Sequence, residues 1–419
     1  MIFTKKQGFL YSSLILILST IITKVIGAVF RIPLANMLGG TGMGYFSYAY
    51  GIFMPIYAIS VTGLPTAVAK LTAENSALEL FDNIKKIKRI SLTIFGIVGV
   101  ICMVLIALLA YPFCMFISDN PDALPAVLCI APAVFFGCIT AVYRGYYEGL
   151  RNMYPTAVSQ VIEGLVKLFS GLGLSYITLN MANNNPTRFS EIFNINIDSV
   201  KDLALPYASA AAILGVTIST FAGTIFLFIR DKISKKSFIQ QNYSSYTESS
   251  RVIIKKLLAT VIPIAIGSLI TNLTSLIDLA TIMSSLNKAI STAPEFFSRY
   301  LSDNLSLNEL PNFIFGSFTG LAVTVFNLIP SFTNMFGKGA LPTLAEGFAS
   351  KNIDKVRRAG ENVIFTTAFI AMPSGIGICV LSRPILELLF PSKPIETEIC
   401  ILSMSILGIA VIFLCISTT

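Results

Sequence analysis

The stretch STIITKVIGAVFRIPLAN (19–36) is apolar apart from small hydroxyls, one amide and two cations, Lys24 and Arg31. It prolongs an apolar run that starts near Phe9, and about 20 such residues in a helix match a hydrocarbon core of roughly 30 Å. The same kind of run recurs along all 419 residues, which are 54% hydrophobic and 12% charged. A soluble domain carries roughly a quarter charged residues. The fold class that follows is all-α, a polytopic membrane bundle.

Ten spans are expected, at 9–34, 44–69, 91–117, 124–147, 156–180, 204–229, 257–284, 313–341, 362–390 and 397–417. MIFTKKQGF runs into the first span without a small-residue cleavage site, so that span is expected to stay in the protein as a membrane helix. With the N-terminus inside, eighteen Lys and Arg fall in cytoplasmic segments, among them Lys85, Lys88, Arg89, Arg230 and Lys256, and five fall outside. That asymmetry sets the orientation. The charge of +8 therefore tracks the membrane and not nucleic acid. The seven cysteines lie in or beside apolar runs with no CxxC pair and read as packing residues. Tryptophan is absent, which leaves Tyr45, Tyr48 and Tyr50 as the expected interfacial belt.

The basic, serine-rich segment 231–256 separates an N-terminal six-helix lobe, 1–230, from a C-terminal lobe, 257–419. LPTAVAKLTAEN (64–75) and LPTLAEGFASKN (341–352) end the second and eighth spans, and each is followed by a basic stretch and a span with a proline at its far end (Pro112, Pro384). An even number of spans between copies gives the halves one orientation, about an axis along the membrane normal. The second half holds four helices against six, so the chain is read either as a fragment or as an imperfect repeat.

A cation deep in a membrane helix costs on the order of 3 kcal/mol and is expected to face protein or water. Lys24 and Arg31 stand seven residues apart, two turns, and share a face with Thr20 and Gly27. Lys24 lies about 22 Å along the helix from Phe9 at 1.5 Å per residue. Arg31 is near the external boundary, where snorkelling outward is the competing account. In SQVIEGLVKLFSGLG (159–173) one face carries Gln160, Glu163 and Lys167. Glu163 and Lys167, at i and i+4, are expected to pair, either as a structural pair or as one facing a cavity. TNLTSLIDLATIM (271–283) sets Thr271, Ser275 and Asp278 along one side, suited to interhelical hydrogen bonds or to a coupling cation. Arg144 and Glu148 in YRGYYEGLRN (143–152) read as an interfacial ion pair with a gating role.

No GxxxxGK[ST] occurs, and MFGKGALP (335–342) lacks the preceding glycine and the hydroxyl of a phosphate cradle. Without histidine, a histidine triad and histidine-ligated metal hydrolysis are excluded. The loop carboxylates Asp119, Asp122, Asp198 and Asp202 fall outside in this topology. No enzyme, cofactor or metal site is expected.

KVIGAVFRIPLANMLGGTGMGYFSYAY (24–50), GLPTAVAKL (63–71) and YRGYYEGLRNMYPTAVSQVIEGLVKL (143–168) resemble the multidrug/oligosaccharidyl-lipid/polysaccharide flippase superfamily, most closely its stage V sporulation protein B branch, near polysaccharide exporters and lipid II flippases. The resemblance implies two pseudo-symmetric lobes around a central cavity in a monomer of the bacterial cytoplasmic membrane. It implies alternating-access transport of a polyprenyl-linked sugar or peptidoglycan precursor for wall, polysaccharide or spore-cortex synthesis. It also implies that Lys24 and Arg31 bind the headgroup phosphate. Gln160, Glu163, Lys167 and Asp278 are then cavity or coupling candidates, with a proton or sodium as the coupling ion, and Arg144 and Glu148 are gating candidates. The eighth span lacks the cation expected of lipid II flippases. The competing readings are a cation antiporter of the multidrug and toxin extrusion type and a membrane scaffold for envelope enzymes.

Overall fold

The computed structural model describes residues 9–238, 247–301, 305–334 and 352–418. The second repeat copy but for Asn352, the Gly-Lys of 335–342 and the middle of the linker lie outside them. Among the described residues there are helices and no strands, and nine helical stretches are long and apolar enough to cross a membrane. The chain is a multi-pass, all-α membrane bundle.

Nine stretches stand for ten expected spans because the first two run on as one path, Ile15–Ala77. The first helix, α1 (Phe9–Val61), bends at Gly39, with φ 63° and ψ −169°. That backbone conformation is open essentially to glycine alone, so a single residue supplies the turn that a loop would otherwise make. After a two-residue break comes α2 (Leu64–Ala77), started by Pro65 in its first turn. Then follow α3 (Phe81–Phe116), α4 (Leu124–Gly149), α5 (Tyr154–Asn184), the short α6 (Pro186–Phe193), α7 (Val200–Phe238) and α8 (Ser250–Thr292). Beyond these lie the stretch Leu310–Asn334, which contains a π-helical segment at Phe318–Ala322, and the helices Ile353–Val380, Ser382–Leu389 and Pro394–Thr418. The ninth span therefore stops at Val380, short of the expected 390, and Pro384 sits in a separate short helix.

Contacts divide the chain into two compact units, one of residues up to Leu16 with Tyr48–Leu286, the other of Ile17–Ser47 with Asn287–Thr419. In the first unit α5 packs along α7, and α3 and α7 along α4. Phe189 of α6 is fully buried against Val200, Ala204 and Tyr207, which folds α6 back onto the start of α7. Tyr48 is buried, with its hydroxyl donating to Sδ of Met283 at 3.1 Å. In the second unit the main chains of Gly40, Gly44 and Gly316 meet without room for a Cβ, the close crossing that small residues permit in membranes. Asn312, also buried, donates to the carbonyl of Thr41 at 3.1 Å. Tyr45 is buried here too. Two of the three tyrosines assigned to an interfacial belt are thus core residues. The seven cysteines are all free thiols, and five are buried.

Candidate functional site

The faces of α1 settle where its cations point. At about 100° per residue, the exposed Leu18, Ile22, Val25 and Val29 fall on one side, and Thr20, Lys24, Gly27 and Arg31 fall nearly opposite. The apolar side suits acyl chains. Lys24 is exposed on the other side and Arg31 is half-buried. Arg31 Nη2 donates to the carbonyl of Thr319 at 3.1 Å, and Thr319 Oγ1 lies 2.8 Å from Oγ of Ser47. Thr319 belongs to the π-helical segment, and π-bulges of this kind recur at functional sites. Arg31 is thus held to main chain, and Lys24 is exposed on the same polar face.

At the Gly39 bend the second unit holds another charged pair. Glu396 Oε1 accepts from the amide of Gly40 at 3.3 Å and lies 3.9 Å from Lys393 Nζ. A carboxylate is favourable at a helix N-terminus, where amides lack intrahelical partners, and residues from Gly40 onward start such a helix.

The first unit gathers the α4 and α5 candidates. Arg144 Nη2 is 2.8 Å from Glu163 Oε1, and its Nε donates to Ser159 Oγ at 3.0 Å. Ser159 in turn donates to the carbonyl of Thr156 at 2.8 Å. The partner of Glu163 is therefore Arg144 of α4, in place of Lys167 one turn along the same helix. Lys167 Nζ instead points to Tyr50, 3.4 Å from its hydroxyl and 5.9 Å from the ring centroid. A Cβ on Gly223 of α7 would lie 2.7 Å from Cγ of Glu163, so glycine there makes room for the carboxyl. Gln160 and Glu148 are half-buried on α5 and α4. Asp278 is exposed on α8. The structure joins Arg144 to Glu163 and leaves Asp278 apart from them. Gly223 and Thr319 escaped notice in the sequence because only tertiary packing brings them to these charges.

Among the described residues no group of His, Cys, Asp or Glu forms a metal-binding cluster. Carboxylates and cations arranged in this way suit ion pairing, anion binding and hydrogen bonding.

Residues 9–183 match the family described as polysaccharide biosynthesis protein. The chain is 26% identical over 376 residues to stage V sporulation protein B of Bacillus subtilis (strain 168), covering 90% of this chain and 65% of that protein. It is 24% identical over 402 residues to lipid II flippase MurJ of the same organism, covering 93% of this chain and 67% of that one. The chain thus spans about two thirds of the length of these relatives. Among solved structures, an inward-facing multidrug resistance MATE family transporter of the MOP superfamily superposes with a TM-score of 0.59 at 12% identity. That match covers 98% of this chain and 85% of the transporter, and it establishes the fold.

Proposed function

Because the chain belongs to the multidrug/oligosaccharidyl-lipid/polysaccharide flippase superfamily, we propose that it is a flippase for a lipid-linked oligosaccharide or peptidoglycan precursor. The precursor moves from the inner to the outer leaflet of a bacterial cytoplasmic membrane, and the N-terminus of the protein is inside. The observation that carries this reading is the exposed Lys24 on the polar face of α1, opposite the apolar stripe of Leu18, Ile22, Val25 and Val29. A cation there offers the headgroup phosphate a charge-assisted contact, while the polyprenyl tail stays in lipid. Carrying the charged headgroup through a polar route avoids moving it into hydrocarbon, the main barrier to unassisted flipping.

The transport cycle is alternating access between the lobes 1–230 and 257–419, joined by 231–256. The chain acts as a monomeric transporter and not as an enzyme. In the absence of a nucleotide cradle the drive comes from an ion gradient, with proton or sodium as coupling ion, from the membrane potential, or from consumption of the product on the far side. A potential of 100 mV supplies about 2.3 kcal/mol per charge, and its sign favours outward movement of an anion. Lys24 disfavours a cationic cargo, which supports a lipid-linked anion over a drug cation.

The test is complementation by the full-length protein in cells depleted of their flippases for this precursor. Lys24→Gln with Arg31→Gln is expected to leave membrane insertion intact and to let the precursor accumulate on the inner leaflet. Unchanged precursor levels with both cations removed would overturn the reading and favour a scaffold.

A further inference from the structure

The exposed surface of α8 is divided in a way that membrane burial alone does not produce. One face, Val261, Ala265, Leu279 and Met283, is buried in the first unit. At about 100° per residue the exposed Ile262, Ile266, Ile270, Leu273 and Ile277 occupy a second face, suited to acyl chains. Thr271, Ser275 and Asp278 are also exposed, and they lie on the third, nearly opposite the isoleucines. Asp278 falls within the expected span 257–284, and among the described residues no hydrogen bond or ion pair involves its carboxyl. Aspartate is too short to snorkel as lysine and arginine do, and an ionised carboxylate against hydrocarbon is costly. This third face is therefore expected to meet water, within the membrane or at its external boundary.

Its chemistry selects what passes. Thr271 Oγ1 donates its proton to the carbonyl of Gly267 at 3.2 Å, which leaves lone pairs outward. With Ser275 and the carboxylate of Asp278, the face presents mainly acceptors and a negative charge. Such a surface repels phosphate and accepts hydrogen bonds from neutral hydroxyls. From Thr271 to Asp278 it extends about 10 Å at 1.5 Å per residue, the scale of one or two sugar rings.

We infer that the Thr271, Ser275 and Asp278 face of α8 is the track along which the hydroxyl-rich carbohydrate part of the headgroup moves. The inference rests on the flippase reading and concerns the α8 face by itself.

Cysteine labelling of the full-length protein in membranes tests it, with each substitution compared with the parent chain and its native thiols. A hydrophilic thiol reagent is expected to modify Thr271→Cys, Ser275→Cys and Asp278→Cys about tenfold or more faster than Ile266→Cys, Ile270→Cys and Ile277→Cys, because only a hydrated thiol ionises readily. Farnesyl pyrophosphate carrying a disaccharide is expected to slow labelling of Ser275→Cys severalfold, and farnesyl pyrophosphate without sugar to leave it unchanged. Equal labelling of the two sets overturns the aqueous face. Protection by both compounds, or by neither, overturns the carbohydrate assignment. Fast labelling of the polar set alongside unchanged precursor levels for Lys24→Gln with Arg31→Gln would overturn the flippase reading and leave the aqueous face standing.

Discussion

Arg144 of α4 holds Glu163 of α5, Nη2 to Oε1 at 2.8 Å, with about a fifth of each side chain accessible. Breaking a buried pair by removing one partner strands the other charge, at about 3 kcal/mol. Arg144→Met and Glu163→Met are each expected to lower the melting temperature clearly, and the double variant to lose less than the two losses added. Melting can be followed with a thiol-reactive dye, since five cysteines are buried and the chain has no tryptophan. Additive losses would show that the two groups do not stabilise one another.

Gly39 and Gly316 are both constrained, for different reasons, and the difference predicts different outcomes. Alanine at Gly39 meets a backbone conformation that costs of order 1–3 kcal/mol. Its nearest obstacle, Lys393 Nζ at 2.9 Å, is the end of a flexible side chain that can move. Alanine at Gly316 meets the main chain of Gly40 and Gly44, which cannot. Gly39→Ala is expected to yield a folded protein with a lowered melting temperature, and Gly316→Ala to fail size-exclusion chromatography as a single species. Equal behaviour of the two would refute the close crossing.

Lys24 and Arg31 share a face of α1. A hydrogen bond from a charged donor contributes about 1.5–3 kcal/mol, and Arg31 makes one to the Thr319 carbonyl. Arg31→Gln is accordingly expected to reduce both stability and transport. Lys24→Gln should reduce transport, and Lys24→Arg should restore it. A Lys24→Gln variant that transports as well as the parent would remove Lys24 from the headgroup site.

The spans were legible because a helix across hydrocarbon needs a long apolar run whatever it packs against, and the seven-residue spacing put Lys24 and Arg31 on one face of α1. What stayed hidden depends on neighbours from elsewhere in the chain. Spacing along α5 offers Lys167 to Glu163, whereas the charge that reaches it comes from α4, at a point where Gly223 of α7 gives the carboxyl space. Tyr45 and Tyr48 look like interfacial anchors by composition and are buried by their partners. By the apolar runs alone Gly39 falls in the connection between the first two spans. Its φ of 63° lets the helical path bend and continue.

The α3 residue Lys88 and the α7 residue Asp231 provide the sharpest contrast between two kinds of ion pair in one molecule. Nζ lies 2.5 Å from Oδ1, with 11% and 7% of the side chains accessible, and the ammonium sits 4.5 Å from the centroid of Tyr146. Nearby, α3 also grips the start of α8: Asn83 Oδ1 accepts from the amide of Glu248 at 3.2 Å, and Lys86 Nζ donates to its carbonyl at 2.6 Å. Arg357 and Glu361, by contrast, are paired at 2.7 Å with 75% and 59% accessible. Exposed pairs contribute about 0–1 kcal/mol and are screened by salt, whereas stranding a buried charge costs about 3–5 kcal/mol and is screened far less. Lys88→Met is therefore expected to lower the melting temperature by a similar amount at low and high salt, and Arg357→Ala to have little effect at either. A loss for Lys88→Met that vanishes as salt is raised would mean that water reaches the pair, and would remove it as the clamp between α3 and α7.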